Sequence, residues 1–315
     1  MNLYLSLLTQ PAPSANYRGE SEQNRAIIQK ITIGQNEYPV VSPEAIRNAL
    51  REMLQAYGLE VNREREHNED QLAVRFKDVP WPEKYVDDFY FGYMVANKKE
   101  AEGALSKERK ESFRYKRDSV VRNNLAVGLT PYRYETLFTQ SPMHTKDSPW
   151  KNASSSQLLH RELTFTPYQF PIALNLADCK LEPANPDDQH NVWFSHLLQA
   201  LTELNGVAGN HARSYFEMAP VSAVARLTTR LASGFPLYPY KQDGSAPDVV
   251  EAILAGDISG RGFHLGGELV KAMPSEQQEA LVAKEVQLYR TVDALFGKLS
   301  LDTCGRSLPS VEVPA

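Results

Sequence analysis

Three stretches of this 315-residue chain carry residue types suited to holding phosphate. The first is "SANYRGE", which offers Asn16, Tyr17 and Arg18. The second opens "SPEAIRNALREMLQAYG", where Ser42 is a good N-cap and Pro43 fits the first helical position. Free backbone amides and the positive end of the helix dipole favour an anion there. Arg47 and Arg51 are four residues apart, so they share one face. Arginine this near a helix N-terminus opposes the dipole of its own helix, a reason to look beyond two solvated side chains. The third is "LNGVAGNHARSYFEMAP". Its glycines let a backbone approach a phosphate, while Asn210, His211 and Arg213 supply donors or a stacking ring. Alone, that stretch reads as a helix stop and a surface loop. The case rests on the three together.

Other chemistries find less support. "GRGFHLGG", Gly260 to Gly267, has a glycine spacing near that of a dinucleotide fingerprint. That fingerprint should follow a strand directly and open a helix, yet a helical run ending at Gly256 precedes it. A turn is the simpler reading. The seven histidines form no i, i+4 pair with a nearby Glu, and nothing resembles a nucleophile elbow. Metal-assisted RNA cleavage needs a carboxylate near the scissile phosphate; the first 69 residues contain no Asp, and Glu20 and Glu22 are the acids of the first loop. No metal and no cofactor are expected from these residues.

The elements that must position these stretches can be read from periodicity. "NLYLSLL" alternates Leu3, Leu5 and Leu7 with polar residues, the pattern of a half-buried strand. A polar loop, "TQPAPSANYRGESEQN", follows. "AIIQKITIGQNEYPVV" reads as a hairpin around Gly34-Gln35-Asn36. The Ser42 helix buries Ile46, Ala49, Leu50, Met53 and Leu54 and stops at Gly58. Residues 60–111 change character: a charge cluster, then "WPEKYVDDFYFGY" with six aromatics in thirteen residues, then a charged helical run. This reads as an insertion whose aromatics form its own small core, with base stacking the less economical alternative. "LAVGLTPYRYETLFTQ", with Tyr132, Tyr134, Thr136 and Phe138 alternating, and "LLHRELTFTPYQFPIALNL" flank a Ser/Pro/Asn-rich tip, a projecting hairpin. A helix through Trp193, Leu197, Ala200, Leu201 and Leu204 and a strand pair, "SYFEM" and "VSAVARLT", give two β-α-β passes and a ferredoxin-like sheet. "SEQQEALVAKEVQLYRTVDALFGKL" reads as one last helix, with a Ser275/Gln278 capping box and a stripe through Leu281, Val286, Tyr289, Val292 and Leu295.

Composition sets the outer limits. A hydrophobic content of 42% with 23% charged residues is that of a globular protein. The N-terminal apolar run lacks a basic start and a cleavage site, so it reads as a strand and not as a signal peptide. No run is long enough to span a bilayer. Two cysteines, Cys179 and Cys304, exclude a disulfide framework or zinc site and suggest a reducing cytoplasm. A net charge of −5 argues against non-specific coating of nucleic acid. The charge is uneven, though: Lys98 to Arg122 holds nine basic and five acidic residues.

With "VVSPEAIRNALRE" and "GNHARSYFEMAP" as its specific motifs, the chain from Asn2 to about Thr229 resembles the CRISPR-associated DevR-type autoregulator family, with a weaker echo in "FHLGGEL". The resemblance implies an α+β fold: an RRM/ferredoxin-like palm with an inserted finger subdomain and a projecting β-hairpin thumb. The palm would take residues 1–59, 112–129 and 162–315, the finger 60–111 and the thumb 130–161. It implies the backbone subunit of a type I, I-B-like, Cascade complex, whose copies stack in a helical filament along a guide CRISPR RNA. Base pairing with a target DNA strand would supply specificity in antiviral defence. Further partners would be other Cascade subunits and a nuclease-helicase or transposition proteins, with no membrane. Carried onto this sequence, the family's basic RNA contacts fall on Arg18 and on Arg47 and Arg51 of the Ser-capped helix, and its palm loop on Gly209, Asn210, His211 and Arg213; Asn16, Tyr17, Ser42 and Asn48 are candidate contacts beside them. Lys146, Trp150 and Lys151 are the candidate contacts of the thumb. Related type III subunits cut RNA with an Asp in the first loop, which this chain lacks. An endoribonuclease with its carboxylate elsewhere, such as Glu20, and a DNA-binding autoregulator are the alternatives; no helix-turn-helix or basic reading helix supports the latter.

Overall fold

The computed structural model describes residues 1–22, 25–67, 72–140, 143, 147, 158–207 and 217–309. The chain begins with β1 (Asn2–Thr9), β2 (Ala12–Ser14), β3 (Tyr17–Glu22), β4 (Arg25–Ile28), β5 (Lys30–Ile33), β6 (Asn36–Val41) and α1 (Pro43–Ala56). A small region follows: β7 (Arg63–His67), β8 (Leu72–Phe76), α2 (Val86–Phe91), β9 (Tyr93–Met94), α3 (Lys98–Ala104), α4 (Lys107–Ser112) and β10 (Lys116–Arg117). Next come β11 (Arg122–Asn123), β12 (Ala126–Gly128), β13 (Thr136–Gln140), β14 (Leu158–Glu162), β15 (Thr164–Thr166), β16 (Tyr168–Asn175), α5 (Gln189–Thr202) and β17 (Pro220–Thr228). The chain closes with α6 (Pro247–Ala255), β18 (Phe263–Gly267), α7 (Glu268–Lys271), α8 (Ser275–Ala283), β19 (Gln287–Tyr289) and α9 (Val292–Cys304).

A large mixed sheet runs β19-β18-β17-β1-β16-β12-β6-β5, with β11 also on β16. β1 lies antiparallel between β16 and β17. Leu3, Leu5 and Leu7 face the side covered by α1, α5 and α9, where Ile46, Leu50, Phe194, Leu197 and Phe296 complete the larger core. The strand is not half-buried as its alternation predicts: Ser6 and Leu8 are buried too. On their side lies a second core built from Val224, Phe235, Tyr240, Ile253, Phe263 and Leu265. Ser6 Oγ donates to Leu237 O at 2.9 Å, and the Tyr240 hydroxyl donates to Ser6 O at 3.1 Å. Gln169 Nε2 donates to Tyr240 O at 3.4 Å and its Oε1 accepts from Tyr240 N at 3.1 Å. Of the alternating polar residues Asn2 and Tyr4 are partly buried, while the Ser6 hydroxyl is satisfied inside, so at that position the pattern reported a hydrogen bond and not solvent.

Other expectations also change. The polar stretch after β1 is strand, not loop: β2 pairs with β15, β3 with β4, and β4 runs parallel to β14 in a sheet ordered β13-β14-β4-β3. Long-range partners supply the ladder that local polarity argued against. Tyr132 and Tyr134 precede the strand that begins at Thr136, beyond Pro131. The last helix is two helices around β19. Glu285 adopts φ 67°, the edge strand joins β18 in parallel, and Thr291 Oγ1 recaps the chain by accepting from Ala294 N at 3.1 Å. Ser275 is the first helical residue and not the cap, and Gln278 Nε2 instead donates to Val270 O and Met273 O. "GRGFHLGG" is a turn leading into the fully buried β18. Gly262 (φ 82°) and Gly267 (φ 86°) sit where a Cβ would lie 2.3 Å from Leu227 O and 1.9 Å from Val221 O, so they serve close strand packing. Of "SYFEM", only Glu217 and Met218 are among the described residues; Glu217 bridges to Asn205.

Candidate nucleic-acid interface

Helix α1 is fixed by its apolar stripe: Ile46, Ala49, Leu50, Met53 and Leu54 are all buried against the sheet. Ser42 caps it, Oγ accepting from Ala45 N at 3.2 Å. That leaves Arg47, Asn48 and Arg51 on the flank, where their surroundings differ sharply. Arg47 Nε donates to Asn123 Oδ1 at 2.8 Å, and Asn123 Nδ2 donates to Pro43 O at 3.2 Å. Asn123 on β11 thus fastens the arginine to the helix entrance. Among the described residues no carboxylate forms an ion pair with Arg47, so its outer nitrogens keep their charge available to an anion.

Arg51, one turn on, points into the region after α1. Its Nε lies 3.9 Å from Asp87 Oδ2, its guanidinium stands 5.0 Å over the Phe91 ring, and Nη1 donates to Asn48 Oδ1. Burial, with Arg63 close by, lowers its pKa to about 10, so it stays charged at neutral pH. The fully buried Asp87 accepts from Asn62 N at 2.7 Å and from Arg63 Nη1 at 3.1 Å. Asp88 accepts from Asn62 Nδ2 at 2.8 Å and Trp81 N at 2.9 Å, and burial raises its pKa. Arg51 is thus a strut joining α1 to the inserted region. Sequence reasoning found the arginines but missed Asn123 and this carboxylate pair. No local pattern marks either, because Asn123 lies 76 residues from Arg47, and Asp87 lies 24 and 25 residues from Arg63 and Asn62.

Asn16 is buried. Its Nδ2 donates to Val40 O at 3.2 Å and its carbonyl accepts from Gln29 N at 2.8 Å, tying the first segment to the β5–β6 hairpin. Tyr17 and Arg18 lie on β3, with Tyr17 opposite Ile28. Gly209, Asn210, His211 and Arg213, and Lys146, Trp150 and Lys151, lie outside the described residues. The structure therefore joins Ser42, Arg47 and Asn123 into one surface and does not test whether the other two stretches meet it. The sheet offers no alternative platform at its centre, since both faces are covered. The β13–β14 hairpin, by contrast, exposes Leu137 and Phe138, whose ring lies 4.4 Å from that of His160. Among the described residues no cluster of His, Cys, Asp or Glu could hold a metal, and no helix is long and apolar enough to cross a membrane.

No protein-family model matches the chain. It is 29% identical over 299 residues to the CRISPR-associated protein Cas7/Cst2/DevR of Myxococcus xanthus (strain DK1622), covering 91% of this chain and 93% of that one. Its fold is similar to chains of two solved CRISPR RNA-guided surveillance complexes. One, in a pre-nicking state, gives a TM-score of 0.61 at 12% identity over 96% of this chain and 100% of that one. The other gives 0.58 at 14% identity over 96% and 99%. The resemblance drawn from the motifs thus extends along nearly the whole sequence: over 91% of its length the chain is similar to the Cas7/Cst2/DevR protein.

Proposed function

We propose that this protein is a non-catalytic backbone subunit of a CRISPR RNA-guided surveillance complex, stacking in copies along a guide RNA and presenting it to a target DNA strand. The observation that carries the reading is the end-to-end match to the Cas7/Cst2/DevR relative. The topology supports it: β1-α1-β12-β16-α5-β17, with the four strands ordered β17-β1-β16-β12, is the β-α-β-β-α-β arrangement of a ferredoxin-like palm. Residues 60–111 are the finger, and residues 130–161, which include β13 and most of β14, with the exposed Phe138, are the thumb. Arg47, held by Asn123 beside the Ser42 cap, contacts the guide backbone; Arg18 and the 209–213 loop complete that contact. Arg51 positions the finger instead of touching RNA. Modest contacts per subunit suffice, because copies on one RNA bind multivalently. The absence of Asp from the first 69 residues supports a holding role over RNA cleavage. Type I-B Cascade, its other subunits, and a nuclease-helicase or a transposition system are the matching partners.

Sedimentation of the purified chain with guide RNAs of increasing length tests this. Protein copies per RNA rising in steps with length is the expected result. A fixed stoichiometry, or no complex, contradicts it.

A further inference from the structure

The face of the large sheet away from α1 carries two features that the guide contact at Arg47 does not use. One is a groove of about 780 Å³ at the end of β1 where Leu8 and Thr9 lie. Leu129, Phe165, Leu269 and Met273 line it, and the Phe165 ring is left 60% exposed. Among the described residues its charged lining is Asp243 and Glu268, both exposed, with no lysine or arginine.

The other feature lies at the opposite end of the same strands. β17 leaves the sheet at Thr228, opposite Asn2, and Thr229, Arg230, Leu231 and Ala232 follow, all exposed. Leu231 is 93% exposed, on a turn fastened from beneath. Asn2 Nδ2 donates to Arg230 O at 2.8 Å. The buried Arg226 donates from Nη1 to Ser233 O at 2.6 Å and stands 4.6 Å over the Phe263 ring. Gly234 (φ 71°) lets the chain cross it, since a Cβ there would lie 2.1 Å from Arg226 Nη1. The chain then runs back along β1. Leu237 O and Tyr240 cover Ser6, and Gln242 to Pro247 form a wall of the groove. One segment thus builds an apolar knob at one end of β1 and part of an apolar groove at the other, about 23 Å away at the rise of an extended strand.

Knob and groove complement each other in charge as well. Among the described residues Arg230 has no ion-pair partner, while the groove presents two acids, of which Glu268 meets only the exposed Lys271 at 2.7 Å. The groove is large enough for a short segment and not just one side chain. Lying at opposite ends, the two cannot meet within one chain, whereas a second copy can bring its knob to the groove. A contact between unlike ends repeats from copy to copy, and builds an open helical stack where its rotation does not close a ring.

We propose that the Thr229–Ala232 turn of one copy docks, through Leu231, into the Leu269–Met273 groove of the next. This rests on the backbone reading above and names the surfaces through which successive copies touch. The test places single cysteines at Leu231 and at Ala272, exposed on the groove. The native Cys179 and Cys304 are fully buried, so a short bismaleimide reads the new thiols. Crosslinking is measured beside sedimentation, with and without a guide RNA long enough for several copies. Leu231→Cys/Ala272→Cys should give a ladder of products, an equal mixture of the two single variants a dimer and nothing longer, and each single variant alone no product. Adding Arg230→Glu to the double variant should cut products longer than a dimer by about fivefold at low salt. Copies gathered on RNA without a ladder would overturn this contact and leave the backbone reading standing. A dimer from either single variant alone would also overturn it, because like ends would then be meeting. An unaltered ladder with Arg230→Glu would overturn the charge match. A ladder from a chain that gathers no copies on RNA would support the contact and refute the backbone reading; neither ladder nor gathered copies would overturn both.

Discussion

The large sheet with its covering helices, the proposed palm, and the region between α1 and β11, the proposed finger, are held together by different physics. At the palm's centre, Leu3, Leu5, Leu7, Phe170, Ile172 and Phe296 are almost wholly buried, and the sheet is closed on both faces by apolar side chains. That second region joins α1 through two partly buried arginines, Arg51 and Arg63, and two fully buried aspartates, with Arg63 3.1 Å from Asp87 and 3.8 Å from Asp88. A hydrophobic core tolerates change in proportion to the volume lost. A buried charge cluster fails as a unit, because removing one member strands the others in a medium that cannot solvate them. A finger fastened this way keeps a fixed angle to α1, and so to any strand that α1 holds.

The largest expected effect is therefore in the finger joint. Asp87→Ala should destabilise by about 3–5 kcal/mol, read by urea unfolding, because Arg51 and Arg63 lose their shared counter-charge. Replacing Arg51, Arg63, Asp87 and Asp88 together by Met, Leu, Leu and Asn should recover most of that loss, since an asparagine in place of Asp88 can still accept from Asn62 and Trp81. If the single and quadruple variants lose equal stability, the joint is held by packing and the contrast with the palm collapses. Leu5→Ala, in the palm, should cost about 2–4 kcal/mol, the usual range for a large-to-small change in a packed core.

Next in size is a pH effect confined to the palm. His264 on β18 is buried beside Tyr289, and burial lowers its pKa to about 4 from an ordinary value near 6.5. The unfolded chain binds the proton that the folded one refuses between those values. Stability should therefore fall as pH drops from about 6.5 toward 4, by at most about 3 kcal/mol, and His264→Gln should flatten that part of the profile. An unchanged profile in the variant would place the loss in the carboxylates. The smallest effect is Ser42→Ala, which removes the cap of α1 and should cost about 1 kcal/mol by thermal unfolding.

The same contrast explains what could be read from the sequence. β1, β16 and β17 and the helices α1 and α5 announce themselves by period, and Ser42 announced its cap, because those signals are local. What failed was set by distant partners. Ser6 looked outward until Leu237 and Tyr240 were brought over it. Ala12–Ser14 became strand because β15 returns beside it, and Tyr17–Glu22 because it pairs with β4, which β14 flanks in turn. Gln287–Tyr289 joined a sheet edge against its helical spacing. At the interface, Arg47 and Arg51 had the same residue type on the same helix face, yet one meets Asn123 and the other Asp87. Only the positions of residues 76 and 36 further along separate them.

The most direct test of the backbone reading is to sequence the RNA that co-purifies with the tagged protein, expressed with its neighbouring genes and a repeat-spacer array. A guide-length RNA should be recovered, and lost in Arg47→Glu/Asn123→Ala while the protein keeps its wild-type unfolding temperature. Protein free of RNA, from an array shown to be transcribed and processed, would contradict the account.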